Sequence, residues 1–256
     1  MDVVKFRVEG HIAYVTLNDP AKLNAISMQL ACELEECWAE VRDNRDIWVA
    51  VLSGEGRSFC AGANTEGMGS GDYAIATHSV LMGVHRAGPL SHKVYKPIIA
   101  AVHRHVLGGG LALVLESDIC IAADDALFGL PEAKVNVPTL FAPVIDRFLP
   151  HSLASEMLYT AKPVSAQRAY EAGLCSRVVP REKLMEEAEA MALSICETGP
   201  LANFAAKELY YRGRGLDYDA LIPLLEEVAV PVMNSEDGLE GRRAFKEKRK
   251  PVWRCK

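Results

Sequence analysis

No run in the 256-residue chain stays apolar for the roughly 20 residues that a membrane-spanning helix needs, and Met1-Asp-Val-Val-Lys-Phe-Arg7 lacks the apolar stretch of a secretory signal. The expectation is a cytoplasmic protein with no membrane partner. Positive charge is also scarce. Lys and Arg number 28 against 34 Asp and Glu, a formal charge of −6, which leaves no electrostatic footprint for a nucleic acid. The seven cysteines, at 32, 37, 60, 120, 175, 196 and 255, are odd in number and lack the short paired spacings of a zinc site. Neither a disulfide framework nor a metal centre is expected, and they read as reduced, buried small hydrophobes. Low-complexity tracts and internal repeats are missing as well.

What is present is a core. Half the residues are hydrophobic, enough for one main domain. Lys5–Glu9 and His11–Leu17, separated by Gly10, read as a hairpin. Ser27 stands where an N-cap is wanted, before a helix whose Leu30, Leu34, Cys37, Trp38 and Val41 share one face, with Glu33, Glu36 and Glu40 on the outer one. Trp48–Leu52 is a short buried strand ending at Ser53-Gly54-Glu55-Gly56, so Phe59–Asn64 falls in a loop beyond a strand end, where sites collect in open sheets. Strand and helix alternate through Asp118–Ala123, Ser165–Ala172 and Arg177–Val179, which indicates an α/β core. Apolar positions 184, 185, 188, 192 and 195 then follow a helical spacing. Pro200 sits at a permitted helix start, and the last sixty or so residues read as helical.

The chain is organised around Pro97–Ala123. Ile98–Val102 is a continuous apolar strand, Gly108-Gly109-Gly110 a turn, and Leu111–Leu115 a helical run. Strand, glycine turn and helix aim free backbone N–H groups at a negatively charged ligand atom. Taken alone, the glycines read more readily as a flexible turn than as a ligand site. Two further segments accompany them: Arg57-Ser-Phe-Cys-Ala61-Gly62-Ala63-Asn64 upstream and Phe128-Gly-Leu-Pro131-Glu132 downstream. At these spacings the three resemble the crotonase (enoyl-CoA hydratase/isomerase) superfamily, across essentially the whole chain.

That resemblance implies an α/β fold, a crotonase-like spiral of ββα units over residues 1–196. A helical C-terminal region over 197–256 would mediate a homotrimer or a dimer of trimers. It implies an acyl-CoA thioester as substrate, with coenzyme A a part of that substrate and no separate cofactor. It also places the thioester oxygen on the backbone N–H groups of Ala63 and Gly109, where small residues are required for close approach. Glu132 takes the role of acid and base. Pro131 stiffens the backbone before it, and the apolar Ala126–Leu130 run would desolvate its carboxyl. Read without the resemblance, Glu132 is more readily a solvated loop carboxylate or a charge at a helix N-terminus. Lys22, Leu23, Asn24 and Ala25, with Ala61, match the loop that lines the nucleotide region, and Phe245 and Lys248 match a C-terminal segment that reaches it.

The departure that matters is Ala112. Hydratases of the family carry a second glutamate there, so this chain has one acid where they have two. Glu116, one turn on, reads as a surface or ion-paired helix residue. Val135–Pro143 is bulkier than the family's glycine-rich segment. His103 and His105 are secondary candidates beside the turn, with Arg104 between them able to distort it. One base and an oxyanion hole suffice to move a proton from C2 to C4, so the expected activity is isomerisation of a 3-enoyl-CoA to a 2-enoyl-CoA. Hydration with a single glutamate, hydrolysis or decarboxylation of an acyl-CoA, and a non-catalytic acyl-CoA-binding subunit stay open as alternatives.

Overall fold

The computed structural model describes residues 1–64 and 83–256. Strands β1 (Val4–Glu9) and β2 (Ile12–Leu17) form the antiparallel hairpin, pairing Val4 with Leu17 and Glu9 with Ile12 across the turn at Gly10. Helix α1 (Met28–Asp43) follows, and Ser27 Oγ accepts its Leu30 N–H at 3.1 Å. The buried face of α1 holds the five residues anticipated from spacing, together with Ala31. Glu33 differs from the expectation of an outward acid. Its carboxylate accepts the backbone N–H groups of Asp2, Val3 and Val4 and ties the N-terminus to the helix.

Strands β3 (Val49–Gly54), β4 (Ile98–Val102), β6 (Ile119–Ala123) and β9 (Arg177–Val179) add in parallel to β2, giving one six-stranded sheet. Both faces of the central strands β3, β4 and β6 are covered, which is why these read as nearly unbroken apolar runs. Alternation sorts the side chains. Ala50, Leu52, Ile98, Ala100 and Val102 pack with α1, while Tyr14, Val49, Val51, Ile99, Ala101 and Ile121 pack with Leu184, Ala188 and Ala192 of helix α5 (Leu184–Cys196).

A second, smaller sheet carries the site. Strand β5 (His105–Leu107) pairs in parallel with β7 (Leu127–Gly129), which pairs with β8 (Val164–Ser165). Single bridges, Cys60 to Val106 and Ile26 to Ala63, extend it. From β4 onward the chain alternates between the sheets, β4 and β6 in the larger and β5 and β7 in the smaller, while the earlier turns contribute only single bridges to the smaller one. Helix α2 (Gly109–Leu115) leaves β5 through Gly108, and helices α3 (His151–Thr160) and α4 (Ala166–Glu171) flank β8.

No strand follows Val179. Helices α6 (Pro200–Arg212), α7 (Tyr218–Met233) and α8 (Glu236–Glu247) complete the chain, with Leu224 and Val228 packed on Ala205. The final nine residues are not helical, a difference from the reading of the C-terminal sixty. Asp237 at the start of α8 holds them instead, accepting the Arg254 and Cys255 N–H groups at 2.8 Å each. No helix among the described residues is long and apolar enough to cross a membrane.

Candidate active site

The local chain around the glycines explains why two N–H groups converge. Gly108 N–H donates to Gly129 O at 2.9 Å, and Gly108 then turns with φ +50°, a conformation that side-chain-bearing residues rarely adopt. That turn starts α2 at Gly109, whose N–H belongs to the first helical turn and has no intrahelical acceptor. Ala63 arrives from the other side. Ile26 N–H donates to Gly62 O at 2.8 Å and Asn64 N–H to Ile26 O at 2.9 Å, so the intervening Ala63 N–H faces away from that ladder. Among the described residues neither N–H has a backbone acceptor. A methyl group at Gly109 would stand 3.6 Å from Ala63 N and only 2.9 Å from Ile26 Cδ1. Glycine at 109 is thus needed for close approach.

Glu132 joins them from the end of β7. After Leu130, Pro131 begins a single 3-10 turn, Pro131–Val135. The Glu132 carboxyl folds back over Gly108, with Oε1 lying 2.9 Å from where a Gly108 Cβ would be. Thr139 Oγ1 donates to Oε2 at 3.5 Å. Burial raises the carboxyl above its ordinary range, and the hydrogen bonds of its own backbone N–H and of Thr139 partly oppose that shift. Ala63, Gly109 and Glu132 are therefore brought together around one turn. The arrangement offers two backbone donors for a developing oxyanion and one desolvated carboxyl to move a proton.

Ala112 lies one helical turn beyond Gly109 and faces a cavity of about 810 Å³ also bounded by Glu116, Phe141, Phe148, Tyr211 and Arg214. Glu116 is half-buried at the end of α2. Its Oε2 accepts Leu90 N–H at 3.0 Å, and burial pushes its carboxyl up to about 7. From Gly108 to Glu116 is eight residues, roughly 12 Å at 1.5 Å per residue. Glu116 is therefore too far along α2 to share one water molecule with Glu132. Beyond it, Asp118 accepts the Ile98 N–H at 2.8 Å and the Lys207 ammonium at 2.7 Å, which fastens α6 to β4.

The remaining residues divide. Loop 22–25 is laced to the oxyanion strand, with Ala61 N–H donating to Leu23 O at 3.0 Å, so Lys22, Leu23, Ala25 and Ala61 border the site. Asn24 does not point outward. It is fully buried at φ +55°, accepts Asp19 N–H, and directs Nδ2 at the carbonyls of Glu55, Ser58 and Phe59. It shapes the loop and does not face a ligand. Phe245 is 88% exposed near the end of α8, and no hydrogen bond or ion pair joins it or Lys248 to the site among the described residues. His103 and His105 also turn away, His103 Nε2 to Gly56 O and His105 Nδ1 to the Ser58 hydroxyl. Arg104 sits at φ +51° in the β4–β5 turn and leaves the glycines undistorted.

Thr139 and the Phe148, Tyr211 and Arg214 wall were not anticipated, since no spacing or motif marks them. By the family resemblance, loops 64–96 and 136–144 would shape an acyl pocket; residues 65–82 of the first lie outside the described residues. No group of three or more His, Cys, Asp or Glu among the described residues is arranged to hold a metal ion.

Comparison with known proteins places this geometry. Residues 7–256 match the family model described as enoyl-CoA hydratase/isomerase. An (E)-benzylidenesuccinyl-CoA hydratase of Thauera aromatica is 35% identical over 98% of both chains. A carnitinyl-CoA dehydratase of Escherichia coli K12 is 32% identical over 96% of this chain and 95% of that one. Among solved structures, an enoyl-CoA hydratase from Bacillus anthracis superposes with a TM-score of 0.92 at 29% identity, covering 99% of this chain and all of the other.

Proposed function

The chain belongs to the enoyl-CoA hydratase/isomerase (crotonase) family of acyl-CoA enzymes, and from that premise we propose that it shifts the double bond of a 3-enoyl-CoA to the 2-position, with Glu132 as the proton shuttle. The observation that carries this reading is that, among the described residues, Glu132 over Gly108 is the one carboxyl at the glycine turn, with an alanine at 112 and Glu116 roughly 12 Å along the helix. The thioester oxygen accepts from Ala63 and Gly109 N–H. Glu132 takes a proton from C2, and the electron pair enters the carbonyl to give a dienolate. The same carboxyl then returns its proton to C4. No water is consumed, and atoms and charge balance.

A second reading, reversible addition of water to a 2-enoyl-CoA, is favoured by the relatives named hydratase and dehydratase. Purified protein incubated with matched 3-enoyl-CoA and 2-enoyl-CoA thioesters separates the two. Conversion of the first without water uptake by the second is the expected result, and vigorous hydration by the wild type would replace isomerase with hydratase. Glu132→Gln should lower either turnover by ~10²-fold or more. Near-normal turnover in that variant would remove the shuttle. Assembly as a trimer or a pair of trimers is part of the same proposal, supported by the exposed Val230, Met233, Leu239 and Phe245 on α7 and α8.

A further inference from the structure

The lining of the cavity beyond Ala112 is mixed in character. It includes the alanine that stands where the family has a second acid. It also includes Arg147 and Arg214. The Arg214 guanidinium carbon lies 4.3 Å from the Tyr210 ring centroid and 4.7 Å from that of Tyr211, with the Phe148 ring at 5.9 Å. Aromatic faces thus hold the fork in place. Yet neither Arg147 nor Arg214 has a carboxylate partner among the described residues. The contrast with Arg212 is direct, since that arginine, two residues earlier, takes both Glu208 and Glu227.

The acids nearby do not supply the missing partner. Asp118 is committed to Lys207. Glu116 is committed to Leu90 N–H, and desolvation pushes its carboxyl up to about 7, so that it is only partly ionised at neutral pH. The lining therefore presents two fixed positive charges and one carboxyl that is partly neutral. An unsubstituted alkyl chain would leave those guanidinium groups without a partner, and a cationic chain would be repelled. A planar anion is complementary, because an arginine fork matches a carboxylate in two parallel hydrogen bonds.

Resting on the reading of this site as a thioester site, we propose that the acyl group carries a second carboxylate remote from the thioester, and that Arg214, with Arg147 beside it, binds that carboxylate in the cavity bounded by Ala112, Phe141 and Phe148. The substrate class is a dicarboxylic acid joined to coenzyme A at one end. Ala112 is then a specificity residue: the volume a glutamate side chain would occupy becomes the passage for the chain, and a negative charge that would repel the distal carboxylate is removed.

The test compares enoyl-CoA thioesters of equal chain length that end in methyl or in carboxylate. The wild type should prefer the carboxylate substrate by kcat/KM, and Arg214→Met should reduce that preference about 10- to 100-fold, the range expected for a charge-assisted pair. Arg147→Gln, a change at an exposed side chain, should reduce it in the same direction, and Arg214→Lys should restore part of it. Thermal unfolding of each variant checks that the fold is kept. A wild type without the preference, or a preference unchanged in both arginine variants, overturns the proposal while leaving the thioester reading intact. If no thioester is turned over, calorimetric binding of a saturated pair, the monothioester of a dicarboxylic acid and that of the matching monocarboxylic acid, takes the place of kinetics. Tighter binding of the first, lost in Arg214→Met, supports the carboxylate site. Equal binding, or none, overturns it.

Discussion

Two buried groups of opposite sign should nearly cancel in the pH dependence of stability, and removing either should expose the other. Glu116 is deprived of solvent at the end of α2, and burial, partly offset by the Leu90 N–H and by Lys207, pushes its carboxyl from 4.5 up to about 7. Between those values the folded protein holds a proton that the unfolded chain has released, so stability falls as pH rises. His103, 2% exposed at the end of β4, is pushed from 6.5 down to about 4 by burial first and by Arg181 second, against Gly56 O, Asp125 and Glu55. Between 4 and 6.5 the unfolded chain holds the proton instead, and stability rises with pH. Each slope approaches 1.4 kcal/mol per pH unit at most, and the two windows overlap from about pH 4.5 to 6.5. The perturbations are Glu116→Gln and His103→Gln, and the assay is urea unfolding at several pH values between about 5 and 6.5. Expressing each variant as a difference from wild type removes the contribution of every other titrating group. From pH 5 to 6.5 Glu116→Gln should gain up to about 2 kcal/mol on the wild type, and His103→Gln should lose up to about 2. A difference that stays flat with pH would show that the group in question titrates in the folded protein as it does in the unfolded chain, and would refute the burial argument for it.

Gly108→Ala places a methyl group 2.9 Å from Glu132 Oε1 at a residue with φ +50°. Stability should drop by about 1–3 kcal/mol, and displacement of the carboxyl should lower turnover by ~10²-fold; full activity in a folded variant would show that Glu132 acts from another position. Lys207→Met leaves the partly solvated Asp118 carboxylate without its cation beside α6, at a cost of about 1–3 kcal/mol in chemical denaturation. Adding Asp118→Asn should recover part of that loss, and no recovery would mean that packing of the lysine stem, not its charge, was the larger contribution.

Elements with long apolar periods were legible in the chain alone. The strands at 12–17, 49–54 and 98–102 announce themselves because burial on both faces leaves no polar interruption, and Ser27 marks the start of α1 by a local hydrogen bond that needs no tertiary context. The second sheet was not legible. Its strands at 105–107, 127–129 and 164–165 are too short to show a period, and each is held by a partner some 20 to 40 residues away. Only the spiral as a whole brings them together, so their existence was implied by resemblance and not by pattern.

The site divides along the same line. Gly109, Ala63 and Glu132 are singled out by resemblance, since without it the glycines read as a flexible turn and Glu132 as a loop carboxylate; what the structure adds is that the three converge on one turn. Asn24 was misread because a motif locates a loop without orienting its side chains; at φ +55° the amide turns inward, where three carbonyls compete for it. Ala112 shows the opposite limit. Its departure from the family pattern was visible at once, but as a deletion: one acid fewer, one reaction less accessible. Its consequence depends on Phe141, Phe148 and Arg214, which arrive from segments 29, 36 and 102 residues downstream. With those walls in place, the missing side chain opens the turn of α2 onto a cavity lined by Arg147 and Arg214. The substitution then acts on which acyl group can enter as much as on which proton can move, and a measured preference between two thioesters reads the first effect separately from the second.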